Sequence, residues 1–150
     1  MNDVLAETLR IVDPGPFTQE GTGRCGCLEE PMELTDYVRF VCGALHCNGV
    51  RYADAGRPVY KVAVGGGACG EFEDAAIYAG CDTFVTSDLS YHQFVDAKVK
   101  GINLIDAGHF PTEDPVCFKL VSYLTGRFPG LSVEKSASHR EVIQYYVEGE

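Results

Sequence analysis

The chain has 150 residues, enough for one domain able to bury about 70% of the surface its unfolded form exposes. Its 45% hydrophobic and 23% charged residues exclude a disordered chain, and 12 basic against 22 acidic residues, a net charge of -10, argue against DNA or RNA as partner, because nucleic-acid affinity comes largely from cationic contacts to phosphate. No apolar run approaches the roughly 20 residues of a membrane helix, and the opening MNDVLAETLR lacks the basic-then-apolar order of a signal peptide, so a cytoplasmic protein with its seven cysteines reduced is expected.

In chain order, residues 3–10 suit a short helix with Val4, Leu5 and Leu9 on one side. Residues 13–27, rich in Gly and Pro, read as a long loop ending in an edge strand. The densest group of soft ligands, Cys25 and Cys27 with Cys42, His46 and Cys47, matches no standard zinc spacing. From Leu34 the pattern turns helical, with Leu34, Tyr37, Val38, Val41 and Leu45 recurring at helical spacing and Asp36 in the first turn. Gly43 inside it costs about 1 kcal/mol relative to Ala, so this helix depends on packing.

After VRYADAGRP the chain alternates. Strands are expected over 59–64, 82–87 and 102–107, and helices over 70–80 (stopped by Gly80), 91–100 and 115–126. Val116, Leu120, Val121 and Leu124 share one face of the last helix, with Asp114 as its cap and Pro115 at its first position. LSVEKS (131–136) follows as a strand, and EVIQYYVEG (141–149) adds an edge strand. Short, continuously apolar strands imply an α/β fold: a mixed, mainly parallel sheet with helices on both faces. Residues 1–32 form a leading helix and loop, and residues 33–150 a single α/β domain.

In such sheets ligands bind beyond the carboxyl ends of the strands, which places residues 65–70, 86–92 and 107–113 on one rim. Gly65, Gly67 and Gly70 make a literal G-x-G-x-x-G after a strand, and Asp88 lies near the distance of a ribose-binding acid. Against this, Glu71, Glu73 and Asp74 put three carboxylates where a pyrophosphate would sit; a tight turn allowing close backbone approach explains the glycines equally. Asp88 suits a helix cap, or with His92 a supporting or proton-transfer role; His92 alone suits a surface histidine. Asp106 reads as a buried acid tied to backbone amides. Pro111 breaks helix continuity, so His109 and Glu113 are not expected to pair on one helical face, but a strand-end turn can still aim both at one point. Imidazole with carboxylate suits Zn, Mn, Fe or Ni rather than Ca; a hydrogen-bonded loop histidine is the plain alternative.

The segments VAVGGGACG, DTFVTSDLSYHQFVDAKVKGINLIDAGHFPTEDP and TGRCGCLEEPMELTDYVRF resemble the carboxyl-terminal half of the Nif-three-like dinuclear metal-centre proteins, also described as type-two homologues of GTP cyclohydrolase I. The resemblance runs from about Asn2 to the end. It implies that the GHxxTE motif supplies His109 and Glu113 to a two-metal site, with Thr86, Ser87 and Asp88 beside it. It also implies a toroidal homo-oligomer with metals facing an interior cavity. The family's other ligands, a His-His pair and a His-x-x-x-Asp stretch, precede a segment like NDVLAETL, where this chain begins, and no His occurs before His46. The expected site is therefore incomplete, because a dinuclear centre bridges metals about 3.5–4 Å apart and zinc wants at least three protein ligands. Asp88, His92 or a neighbouring subunit are the candidate third donors.

The resemblance implies a metal-dependent hydrolase acting on a nucleotide or similar small molecule, with a rim carboxylate or His92 moving protons. The chain alone is then largely inactive. Two alternatives stand beside this reading: a non-catalytic assembly module, and a Rossmann-like nucleotide-binding domain using Gly65 to Gly70.

Overall fold

The computed structural model describes residues 1–146 and Glu148. Its elements are α1 (Asn2–Thr8), β1 (Val12–Gly15), β2 (Arg24–Met32), α2 (Leu34–Ala44), β3 (Arg51–Ala53) and β4 (Val59–Val64). A 3-10 turn (Gly70–Phe72) leads to α3 (Glu73–Tyr78), β5 (Thr83–Thr86), α4 (Tyr91–Lys100), β6 (Asn103–Asp106), α5 (His109–Glu113) and α6 (Pro115–Arg127). The strands form one six-stranded mixed sheet in the order β1-β2-β4-β5-β6-β3. Its centre, β4-β5-β6, is parallel, and the flanking pairings are antiparallel.

Period-two alternation divides the core between the two faces. Val62, Val64, Val85 and Ile105 turn towards Leu5 and Leu9 of α1 and Leu34, Tyr37 and Val41 of α2. Ala63, Phe84 and Leu104 turn the other way, towards Ala76 of α3 and Ala97 of α4. Strands buried on both faces read as unbroken apolar runs, which is why these three were visible in the sequence. Register then sets the rim: Val64 pairs with Val85, and Val85 with Ile105. The three carboxyl ends finish level, so the loops that follow them are neighbours.

The structure corrects several expectations. The first 32 residues are more than a helix and a loop: β1 was not anticipated, and the strand expected at the end of the Gly/Pro-rich loop is β2, a strand of nine residues in the sheet interior and not at its edge. Glycine and cysteine hid its pairing potential, because Gly26 lies where a Cβ would meet Val12 O at 2.4 Å, a closeness only a neighbouring strand demands. The edge strand β3, within VRYADAGRP, was not anticipated. Residues 131–136 form no strand and pair with neither edge of the sheet, β1 or β3. Residues 141–146 form none either, and Val147 and Gly149 of that expected strand lie outside the described residues. This tail is tied back instead by Asn48 Nδ2, which donates to Ile143 O at 2.9 Å.

The cysteine-rich group does not gather. Cys25 and Cys27 sit on β2 against Ala63 and Lys61, whereas Cys47 donates to Ala107 O at 3.2 Å beyond α2. Burial pushes the Cys47 thiol up to about 12, which keeps it protonated in the metal-free protein. Among the described residues no helix is long and apolar enough to cross a membrane.

Candidate metal centre

The rim is assembled around Asp106, the last residue of β6 and nearly fully buried. Its Oδ1 accepts from Gly108 N at 3.1 Å, its Oδ2 from Leu89 N at 3.1 Å, and Arg51 of β3 forms an ion pair with Oδ2. The expected buried acid thus joins three segments, two of them rim loops. Arg51 closes the same connection by donating to Leu89 O at 3.0 Å.

Gly108 follows with φ +88°, a left-handed conformation that turns the chain directly into α5. Pro111 does not prevent that helix, contrary to the sequence reading. It is the third residue of α5, where no intrahelical N–H bond is required, so its missing donor costs nothing. His109 and Glu113 therefore do share a helical face, with Nε2 and Oε2 3.6 Å apart.

Between them, Thr112 faces inward. Its hydroxyl donates to the carbonyls of Gly108 and His109, both at 2.9 Å, and accepts from Gly67 N at 3.0 Å. Thr86 repeats the device from β5, donating to Gly67 O at 3.0 Å and accepting from Cys69 N at 3.1 Å. Asn2 Oδ1 accepts from Gly66 N at 2.9 Å, and Gly65 N bonds Val85 O at 3.0 Å. Four amides of the glycine loop are thereby engaged by the protein itself and cannot cradle a phosphate. The tight-turn reading of the G-x-G-x-x-G spacing is the one realised. Gly67, at φ +72°, has its own purpose: a Cβ there would stand 2.7 Å from Glu113 Oε1 and 3.2 Å from His109 Nε2.

Asp88 is not the cap of α4. Ser90 is, through a capping box in which Gln93 N donates to Ser90 Oγ and Ser90 N to Gln93 Oε1. This leaves the Asp88 carboxylate free, and its Oδ2 lies 2.6 Å from His109 Nδ1. That hydrogen bond is the main reason the imidazole is held above its usual pKa; partial burial opposes it, and the charges of Asp88 and Glu113 reinforce it. With Nδ1–H directed at Asp88, the neutral ring presents the Nε2 lone pair towards Glu113, the arrangement in which metal-ligating histidines are held. His92 is not part of this group. It is exposed on α4, edge-on to Tyr91 at 6.0 Å.

Thr112 was not singled out in the sequence as a functional position, though its place in the GHxxTE motif was the signal; Gly67 was read only as part of the glycine loop, not as clearing space for His109 and Glu113. Asp114 holds the cap position of α6 but makes no capping hydrogen bond. It lies instead with Cys117 and His139, one ligand atom of each within 4.8 Å of the others, a possible metal-binding triad.

The chain matches the family model described as Duf34/NIF3 (NGG1p interacting factor 3) over residues 1–141. Among curated relatives, the "GTP cyclohydrolase 1 type 2 homolog" of Nostoc sp. is 36% identical over 129 residues, 81% of this chain and 49% of that protein. Its namesake from Clostridium perfringens is 33% identical over 127 residues, 80% and 48% respectively. The chain thus spans about half the length of these relatives. The solved structure of a Bacillus cereus protein related to NIF3 matches with TM-score 0.70 and 28% identity, covering 83% of this chain and 36% of that one. A hypothetical protein from Staphylococcus aureus shares the fold, with TM-score 0.81 at 19% identity, covering 97% and 63%.

Two outcomes are expected of variants at this rim. Asp106→Ala leaves the amides of Leu89 and Gly108 and the Arg51 guanidinium without their acceptor and should cost about 3–5 kcal/mol in urea unfolding; a loss below about 1 kcal/mol would mean the carboxylate does not organise the rim. Asp88→Asn should lower the His109 pKa towards 6.5, read from the ring proton shifts of metal-free protein by NMR. In the parent chain this raised pKa supports folding below pH 6.5, and the contribution fades as pH rises through the folded-state value.

Proposed function

Because this chain belongs to the Duf34/NIF3 family, we propose that it is the metal-binding part of a divalent-metal-dependent hydrolase acting on a nucleotide or similar small molecule, and that it works in the cytoplasm as a homo-oligomer. The observation that carries this reading is the 3.6 Å approach of His109 Nε2 to Glu113 Oε2 while Asp88 engages Nδ1. The donor set fits a borderline divalent cation, and Gly67 keeps side-chain bulk away from both ligand atoms.

His109 and Glu113 would hold the cation, which supplies Lewis acidity and lowers the pKa of water. Asp88 keeps the proton on Nδ1 and so keeps Nε2 available as a ligand. Thr112 locks the glycine loop against α5 and Thr86 locks it against β5, so the two ligands sit against a fixed wall. Asp88 is already bonded to the His109 ring, and His92 stands on an exposed face, which leaves two protein ligands where zinc wants three. The remaining donors are assigned to a partner copy or to sequence corresponding to the other half of the longer relatives. By itself the chain then binds metal weakly and turns over little. A net charge of -10 agrees with a small-molecule rather than a nucleic-acid partner.

Mn(II), which favours carboxylate over thiolate, is the discriminating probe. In an EPR titration, His109→Ala should bind it at least 10-fold more weakly than the parent chain, and Asp88→Asn about 10–100-fold more weakly. Equal affinity in all three proteins would remove His109 from the site, and robust GTP hydrolysis by the purified chain, lost in His109→Ala, would overturn the low-activity claim.

A second reading, a non-catalytic interaction module, is favoured by α6, which buries none of its residues and exposes Phe118, Leu120 and Tyr123. Light scattering decides it: association at micromolar concentration is expected, and a clean monomer counts against it.

A further inference from the structure

The first turn of α6 brings Asp114 and Cys117 onto one face, three positions apart, and the tail returns 22 residues after Cys117 to set His139 beside them. His139 Nε2 lies 3.6 Å from Asp114 Oδ1 and 3.8 Å from Cys117 Sγ. Around a tetrahedral zinc with Zn–N of about 2.0–2.1 Å and Zn–S of about 2.3 Å, the corresponding separations are about 3.4 and 3.6 Å. These two spacings exceed the tetrahedral values by only about 0.2 Å, and the Asp114 and Cys117 ligand atoms lie within 4.8 Å of each other.

One ligand atom also keeps an acceptor direction unused. Asp114 Oδ1 is buried and accepts no hydrogen bond. Lys135 Nζ donates to Oδ2 at 2.6 Å and lies 2.5 Å from Oδ1, but off its hydrogen-bonding direction. The ammonium balances the carboxylate's charge, but Oδ1 retains a lone pair that a cation at the position shared with Sγ and Nε2 would use. Lys135, in contact with both carboxylate oxygens, orients the group, and its hydrogen bond goes to Oδ2. Aromatic packing holds the surroundings in place: Phe110 lies 5.0 Å from the His139 ring, and the Lys135 ammonium stands over Phe110 and Phe118 at 5.3 and 4.9 Å.

We propose that Asp114, Cys117 and His139 form a zinc-class site, separate from the His109–Glu113 pair, whose ion clips the tail onto the start of α6. A thiolate, an imidazole and a carboxylate make a three-ligand set suited to Zn(II), with a fourth position open to water. The tail over residues 131–146 has no helix or strand of its own, so an ion here contributes directly to ordering it. Metal binding requires the thiolate, so it releases a proton from Cys117.

The test uses Co(II) in place of zinc, with the full chain and the variants Cys117→Ser, His139→Ala and His109→Ala. Thiolate-to-cobalt charge-transfer absorption should appear in the parent chain, persist in His109→Ala and vanish in Cys117→Ser. Zn(II) competition against a chromophoric chelator should show at least a 10-fold loss of affinity in both Cys117→Ser and His139→Ala. Absence of the band from the parent chain, or its survival at full strength in Cys117→Ser through another of the seven cysteines, overturns the proposal. Because His109→Ala leaves this site intact, failure here and failure of the rim site give different results.

Discussion

One buried carboxylate sets the geometry of the rim. Asp106 bonds the amide next to Asp88 and the amide next to His109, and it takes the Arg51 guanidinium from the edge strand. The distance between Asp88 and His109 is therefore fixed through the backbone, one residue away on each side, and not by the exposed side chains themselves. Those side chains are each nearly half exposed, and a solvent-facing pair of this kind would orient little without a rigid base. The base also explains Asp88 at φ +57°: a strained residue persists where its neighbours over-determine it, and Leu89 is held from both its amide and its carbonyl.

The two threonines divide the remaining work. The Thr86 hydroxyl donates to one backbone carbonyl and that of Thr112 to two, shared, while each accepts from one backbone amide, so the two stitch the glycine loop to β5 and to α5. A loop bonded in this way is rigid, and its amides face the protein. The same glycines that suggest a nucleotide fingerprint thus serve to bring backbone close to a metal-type pair, with Gly67 clearing the space a Cβ would occupy. Spacing alone does not separate these uses; the direction of the N–H groups does.

The two proposed ligand groups, seated next to each other along the chain, differ in hardness. His109 and Glu113 offer nitrogen and oxygen, whereas Asp114, Cys117 and His139 add sulfur. Phe110 joins them physically, since it follows His109 in α5 and packs on His139. Order in the tail and order in α5 are therefore mechanically linked.

The central strands, the α2 face and the rim were legible in the sequence because each rests on local periodicity: apolar runs for β4, β5 and β6, a helical repeat for Leu34 to Leu45, and strand ends for the loops. The GHxxTE resemblance pointed to His109 and Glu113 for the same reason, being a short contiguous pattern. What local pattern could not carry was pairing at long range. Whether Gly26 belongs to a loop or an interior strand depends on what lies beside it, and whether Leu131 to Ser136 is a strand depends on whether the chain brings it to a sheet edge. Likewise, the sequence read Pro111 as a helix breaker, whereas its position in the first turn of α5 makes it harmless. The engagement of His109 by Asp88 across 21 residues, and the meeting of His139 with Cys117 across 22, exist only once the chain has folded back on itself.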